Sequence, residues 1–324
     1  MAKSKTVQSN PTPTIPIFFA VDDNYVPFLC VALRSICDNR SERFDYQINV
    51  LIESLSDNSR NAITSFERDN VKIKFVDVRE KLVAICQRLH IRDYYSNATY
   101  YRFFIPEMFP EYDRGLYLDC DIVVNCDIAR LYNCQTGDSI VGAIPEEVMT
   151  DIDVFGRYSE AVLGISRYEY FNAGILVMNL KKMREIEIER LFSELLGRRT
   201  YRVAQDQDYL NVICKGRVFY LNNRWNKTPM PDSNEAIKPY IVHYKINFKP
   251  WRYDGIPYAS YFWKYADKTE FSDMLHNIKD NYSQAEKDRD SAQYEGLVSL
   301  AAEEILRESH SFCTQYTAYC TEAI

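Results

Sequence analysis

Residues Leu116–Ile128 read LYLDCDIVVNCDI, and the fold turns on this stretch. Leu116, Tyr117 and Leu118 make the apolar run of a strand, with Asp119 and Asp121 at its end and a third acid, Asp127, beyond. A buried carboxylate without a partner costs several kcal/mol, so the first two acids must face something. In open α/β sheets, ligands gather at the carboxyl ends of strands. A strand delivering Asp119 and Asp121 there points them into a cleft. One residue apart, both can reach a single hard divalent cation, and oxygen ligands favour Mg²⁺ or Mn²⁺. A capped strand end with solvated acids is the plainer alternative.

The flanking sequence supports a sheet. Ile15–Val21 reads as a buried strand, followed by Asp22, Asp23 and Asn24 as loop or cap residues. Val26–Cys37 has helical spacing, Tyr46–Ile52 alternates like a strand, Ser56–Arg68 is predicted helical, and Val71–Val78 is a strand again. This β-α-β-α-β order predicts a parallel sheet flanked by helices. Further on, the patterns predict a helix over Thr99–Phe109, strands over Ser139–Ile144 and Asn172–Asn179, a helix over Leu180–Leu196, a helix over Ala204–Cys214 and a short strand over Tyr240–Tyr244. Within 280–308, Tyr294, Leu297, Val298, Ala301, Ala302 and Ile305 form one apolar helical stripe. Its reading is a helix packed on the domain, with a homo-oligomer contact as the alternative.

Bulk properties bound the function. The chain has 324 residues, 46% of them hydrophobic, and a formal net charge of −7. That is enough for one large α/β domain with an appendage, and it argues against nucleic acid as a partner. The nine cysteines include no CxxC pair. With no secretory signal evident, their odd number suggests a reducing, cytoplasmic setting. Residues 1–14 are polar with prolines and read as a flexible lead-in, and no apolar run is long enough to span a membrane.

Other residues extend the chemistry. His243 lies in YIVHYKINFKPW, and an imidazole joined to two carboxylates suits Mn²⁺ better than Mg²⁺, although a lone histidine after a short strand is more often structural. Lys249 can neutralise a phosphate as a point charge. Gln205–Asp208, QDQD, offers amides and carboxylates suited to a hydroxyl-rich ligand, or an ordinary helix start. The ten glycines form no GxG, so the dinucleotide fingerprint and the P-loop are absent, and there is no GxSxG elbow.

FFAVDDNYVPFLCVALRSI, YYRFF, LYLDCDIVV, YFNAGILVMNLKKMR, QDQDYLN and HYKINFKPW occur in the order and rough spacing of the retaining family-eight glycosyltransferases. The resemblance covers about residues 15–265. It implies a GT-A fold, a Rossmann-like, mostly parallel sheet flanked by helices; beyond it the charged, helix-forming composition makes 266–324 a C-terminal helical extension. It further implies a retaining hexosyltransferase that moves glucose or galactose from a UDP-sugar, with Mn²⁺ as cofactor and Mg²⁺ as the substitute. The acceptor expected is a glycan, a lipid-linked glycan or a glycoprotein, in bacterial lipopolysaccharide or other surface-glycan synthesis. The location expected is the cytoplasm, with peripheral contact at the inner face of the membrane left open.

By matching positions, Asp119, Asp121 and His243 resemble the metal ligands, and Ala20, Asp22 and Asn24 the uridine and ribose contacts. Cys120, between Asp119 and Asp121, is expected to meet the donor. Arg102 looks like the arginine that meets the donor. Asn172 and Asp206 resemble residues that hold its sugar, Glu146 an acid near that sugar, Gln207 the residue facing the anomeric carbon and Lys249 the diphosphate lysine. Ile246 departs from the pattern, standing where many relatives have a glycine that lets the backbone approach the diphosphate. Two rival readings are a haloacid-dehalogenase-like phosphatase, which also places a DxD after an apolar strand, and a non-catalytic sugar-nucleotide-binding protein.

Overall fold

The computed structural model describes residues 12–83, 97–231, 233 and 235–307. Among these, nine strands form two sheets. They are β1 (Thr14–Ala20), β2 (Asp45–Ile52), β3 (Val71–Asp77), β4 (Gly115–Leu118), β5 (Ile122–Val124), β6 (Val141–Pro145), β7 (Phe171–Met178), β8 (Val218–Tyr220) and β9 (Ile241–His243). The larger sheet runs β3-β2-β1-β4-β7-β6-β8. β3, β2, β1 and β4 are mutually parallel, as the β-α-β order predicts. β7 lies antiparallel between β4 and β6, and β8 is parallel to β6. Every residue of β7 is buried, as expected for a central strand covered on both faces.

β1 has β2 on one side and β4 on the other, so the chain's direction across the sheet reverses there. That reversal opens a crevice at the carboxyl ends of β1 and β4, where Ala20 and Asp119 emerge. The smaller sheet pairs β5 with β9 antiparallel, and Ile122 faces His243 in its register. This short pairing carries the histidine to the acids.

Several predicted elements come out differently. The helix expected over Thr99–Phe109 is a 3-10 turn, Asn97–Phe103, followed by the short helix Ile105–Met108. Pro106 has no N–H to continue a helical ladder from the preceding turn. The helix expected over Leu180–Leu196 is two, Leu180–Glu185 and Ile188–Arg198, divided where Glu187 takes a left-handed φ of 53°. Ser56–Arg68 shortens to the helix Asp57–Thr64, with the Ser56 hydroxyl accepting from Ser59 N–H as its cap.

At the C-terminal end, helices Ala259–Ala266, Ser272–Asp280 and Gln284–Arg307 follow. Leu275, Phe262 and Tyr265 share a core with Trp251 and Val242. Helix Gln284–Arg307 packs on helix Asp153–Ala161, with the Tyr294 and Phe155 rings 6.5 Å apart. Tyr294, Leu297, Val298, Ala301 and Ile305 all pack against the main core, so the apolar stripe is used within the chain. Ala302, assigned to that stripe from its spacing, is exposed. No helix among the described residues is long and apolar enough to cross a membrane.

Candidate active site

Asp119 leaves the end of β4 with its N–H donated to the Gly174 carbonyl at 2.7 Å. Cys120 turns the other way, its thiol against the Ala20 carbonyl at 3.3 Å, and burial pushes that thiol well up. Asp121 therefore returns to the same side as Asp119. His243 Nε2 lies 3.1 Å from Asp121 Oδ1 and 3.6 Å from Asp119 Oδ2. One ligand atom from each of the three falls within 4.8 Å of the other two. Asp127, the third acid of the opening stretch, faces elsewhere. It accepts from the Tyr46 hydroxyl at 2.7 Å and from Ala129 N–H at 2.9 Å.

The surroundings hold this cluster in place. His243 Nδ1 is 3.0 Å from Asn226 Oδ1, a partner for an Nδ1 proton, so that with a cation bound Nε2 would be the lone-pair donor. Asn226 in turn donates to Asn172 Oδ1 at 2.8 Å. Lys249 Nζ sits 3.0 Å from Asp121 Oδ2 and is almost wholly buried. Burial opposes the charge on Asp121, but Lys249 and His243 hold its carboxyl well below the usual carboxylate range. Trp251 of the KPW tripeptide is a core residue, its ring 4.3 Å from Phe28 and 4.8 Å from Phe262.

Two oxygens and one imidazole nitrogen, converging and backed by outer hydrogen bonds, match a small divalent cation that tolerates nitrogen. Gly174 makes the approach possible. A Cβ there would lie 2.4 Å from both Asp119 Oδ2 and His243 Cε1.

A second group adjoins the first. Arg102 is buried, with Nη2 3.2 Å from Asp119 Oδ1 and its guanidinium 4.1 Å from the centre of the Tyr117 ring. Its Nε is 3.1 Å from Asp206 Oδ2, an ion pair off the line of a hydrogen bond. Thr99 Oγ1 donates to Asp206 Oδ1. Burial nonetheless pushes Asp206 up to about 6. Gln207 Oε1 accepts from Asn172 Nδ2 at 3.1 Å and from Ala173 N–H at 2.9 Å. Asn172 also donates to Glu146 at 2.7 Å, and Glu146 pairs with Lys245. Burial works against the charge on Glu146, but Lys245 prevails and the carboxyl sits below its ordinary range.

These residues line one cavity of about 210 Å³. Of the residues picked from the sequence, Ala20, Asp22, Arg102, Asp119, Cys120, Asp121, Glu146, Asn172, Asp206, Gln207, His243 and Lys249 all face it. Asn24 does not line it. It is exposed on a 3-10 turn, its N–H donated to Asp22 Oδ1 at 3.0 Å. Gly174, Asn226, Tyr170 and Lys245 carry no signal of their own in the sequence, and Asp208, part of the QDQD stretch, turns to the Tyr158 and Tyr170 hydroxyls. Gly174 and Tyr170 lie within YFNAGILVMNLKKMR, where an apolar strand pattern masks them. Tyr170 donates to Asp208 Oδ1 at 2.7 Å and accepts from Gln207 Nε2 at 3.3 Å. Ile246 lines the cavity with a φ of 55°, so the backbone keeps the left-handed form a glycine would favour.

Similarity to known proteins agrees with this geometry. The residue pattern of glycosyl transferase family 8 matches residues 16–255. A putative glycosyltransferase of Haemophilus influenzae is 31% identical over 67% of this chain and 64% of its own length. The lipopolysaccharide 1,2-glucosyltransferase of Escherichia coli is 26% identical over 75% of this chain and 74% of its own. Among solved structures, the apo WbbM bifunctional glycosyltransferase superposes with a TM-score of 0.72 at 26% identity, over 84% of this chain and 53% of that one. The galactosyltransferase LgtC, solved with donor and acceptor sugar analogues, superposes with a TM-score of 0.66 at 29% identity, over 79% of this chain and 96% of that one. The chain thus spans about two thirds of the Haemophilus relative and about half of WbbM. The sheet order and flanking helices are those of the GT-A fold, and the chain belongs to glycosyl transferase family 8.

Proposed function

We propose that the protein is a retaining hexosyltransferase that takes glucose or galactose from a UDP-sugar and passes it to a glycan, lipid-linked glycan or glycoprotein. The observation that carries this reading is the meeting of Asp119, Asp121, His243 and Lys249 in the cavity that also holds Gln207. Relatives named for lipopolysaccharide glucosyl transfer and for galactosyl transfer favour a surface glycan as acceptor. Family membership sets aside the phosphatase reading.

Asp119, Asp121 and His243 would hold Mn²⁺, or Mg²⁺ in its place. Such an ion, when bound, supplies charge neutralisation for a diphosphate leaving group. Lys249 adds a fixed positive charge as that leaving group forms, where stabilisation raises the rate. Ala20 and Asp22 line the same cavity and are the residues offered to the nucleoside. Asp206, Asn172 and Glu146 offer acceptors and donors for sugar hydroxyls.

Gln207 bears on the route to retention. Its amide oxygen already accepts two hydrogen bonds, so it is a poor nucleophile. Front-side substitution is the route this favours. The bond from C1 to the leaving phosphate oxygen breaks, the bond from C1 to the acceptor oxygen forms on the same face, and the acceptor proton passes to the departing phosphate. Gln207 orients its carbonyl dipole toward positive charge developing on the sugar.

The test is a screen of UDP-sugars with Mn²⁺, following UDP release without and with glycoside acceptors. The reading predicts slow hydrolysis of one donor, faster release with an acceptor, and a product that keeps the donor's anomeric configuration. No release from any UDP-sugar would favour the non-catalytic binding reading.

A further inference from the structure

Helix Gln284–Arg307 lies beyond the residues the family pattern matches, yet its inner face reaches the loops that frame the cavity. Asp290, Tyr294, Leu297, Ala301 and Glu304 recur at steps of four and three, and so share one face. Asp290 is only 5% exposed. A carboxylate that deep is costly unless charge and hydrogen bonds compensate it.

The compensation comes largely from the segment that carries Lys249. The hydroxyls of Tyr253 and Tyr282 donate to Asp290 Oδ2 at 2.8 and 2.7 Å. Arg252 Nη1 stands 3.4 and 3.3 Å from the two carboxylate oxygens. The Asn247 side-chain amide donates to the Asp290 carbonyl at 3.4 Å. The Tyr253 and Tyr282 rings meet edge-on at 5.7 Å, and Arg252 lies 5.3 Å from the centre of the Tyr282 ring.

Backbone geometry connects this cage to Lys249. The N–H groups of Arg252 and Tyr253 both donate to the Lys249 carbonyl at 3.0 Å, closing the turn that starts at the lysine. The two residues that close the turn with their amides are thus anchored on Asp290 by their side chains. The same segment contains Ile246 at its left-handed φ. For a non-glycine residue that is strained and persists only where the surroundings over-determine it. Ile246 and Leu297 both line the cavity and pack on the same core.

We propose that Asp290 is a positioning residue for the donor: through Arg252 and Tyr253 it holds the Lys249 turn in the form that meets the diphosphate. A helix outside the family pattern is then a working part of the donor site. This rests on the transferase reading above.

The test uses the full chain with Asp290→Ala, Asp290→Asn and, as a control on the same helix, Glu304→Gln. Calorimetry gives UDP affinity in Mn²⁺, donor hydrolysis gives KM and kcat, and thermal melting reports the fold. Asp290→Ala is expected to weaken UDP about tenfold, to raise donor KM and to lower kcat as well, because Lys249 acts on charge that grows as UDP leaves. Asp290→Asn falls between it and the unaltered protein, and Glu304→Gln leaves UDP affinity unchanged.

The proposal is overturned if a folded Asp290 variant binds UDP like the unaltered protein. It is also overturned if Glu304→Gln weakens UDP as much, since the helix would then only stabilise the domain. If Asp290→Ala does not fold, Asp290→Asn combined with Tyr253→Phe carries the same comparison. An unaltered protein that binds no UDP with Mn²⁺ would remove the transferase reading and the clamp together. A loss confined to the Asp290 variants supports the clamp.

Discussion

Asp119 and His243 approach each other across Gly174, whose missing side chain leaves no atom where a Cβ would stand 2.4 Å from each. The closeness is set by two strand registers. β7 brings Gly174 beside the end of β4, and β9 lays His243 opposite Ile122.

Gly174→Ala therefore strikes the proposed metal site directly. The added methyl must displace a carboxylate or an imidazole, both fixed by buried partners. Manganese-dependent UDP affinity is expected to fall by more than about tenfold. A Mn²⁺ and UDP titration checks it, with the melting temperature as the control for folding.

Asn226→Ala tests the support behind the histidine. It strips a partner from His243 Nδ1 and from Asn172 Oδ1, both buried. Loss of such an outer partner weakens metal binding by about 10–100-fold. The unmet groups should also cost about 1–3 kcal/mol of stability. Mn²⁺ affinity and chemical denaturation measure the two effects separately.

The Glu146–Lys245 pair predicts non-additivity. Lys245→Met leaves a buried carboxylate without its cation and should cost about 3–5 kcal/mol, while adding Glu146→Gln should recover much of that. The sign with pH follows from the lowered carboxyl. Stability from the pair is present above pH 4.5, the ordinary value for this group, and is lost as pH falls through the lower folded value. Urea midpoints across acid pH should show that limb in the unaltered protein and not in the double variant.

Asp206 should behave in the opposite way. Burial raises it to about 6 from 3.8, so the folded state binds its proton more readily than the unfolded chain. Its contribution to stability is present below the unfolded value and is lost as pH rises through about 6, a change on the order of 3 kcal/mol. If its carboxylate holds the donor sugar, turnover rises over that same interval. Asp206→Asn should flatten both trends, measured as unfolding free energy and as donor turnover between pH 4.5 and 7.5.

The sheet was legible where strands are long and buried. β1, β2 and β3, with the helices between them, follow from apolar runs and turn residues, and the end of β4 announces itself by two acids after an apolar run. The β5–β9 sheet was not legible. Each strand has three residues, too few for a period, and the pair joins distant parts of the chain. Without that pairing nothing in spacing alone brings His243 to Asp121; only the resemblance did. The break at Glu187 was hidden because Leu180–Leu196 keeps its apolar rhythm through the left-handed residue. Asn226 carries no local pattern, as its role exists only once His243 is beside it. Asp290 looked like one more charge on a solvated helix until Arg252, Tyr253 and Tyr282 closed around it.

The most direct measurement of the central claim is a calorimetric titration of UDP into the metal-stripped protein, without and then with Mn²⁺, repeated on His243→Ala. Tight binding that requires Mn²⁺ and is largely lost in the variant is the predicted result. Equal affinity with and without the metal, or full manganese dependence after removal of His243, would contradict a site in which two aspartates and this histidine share one ion.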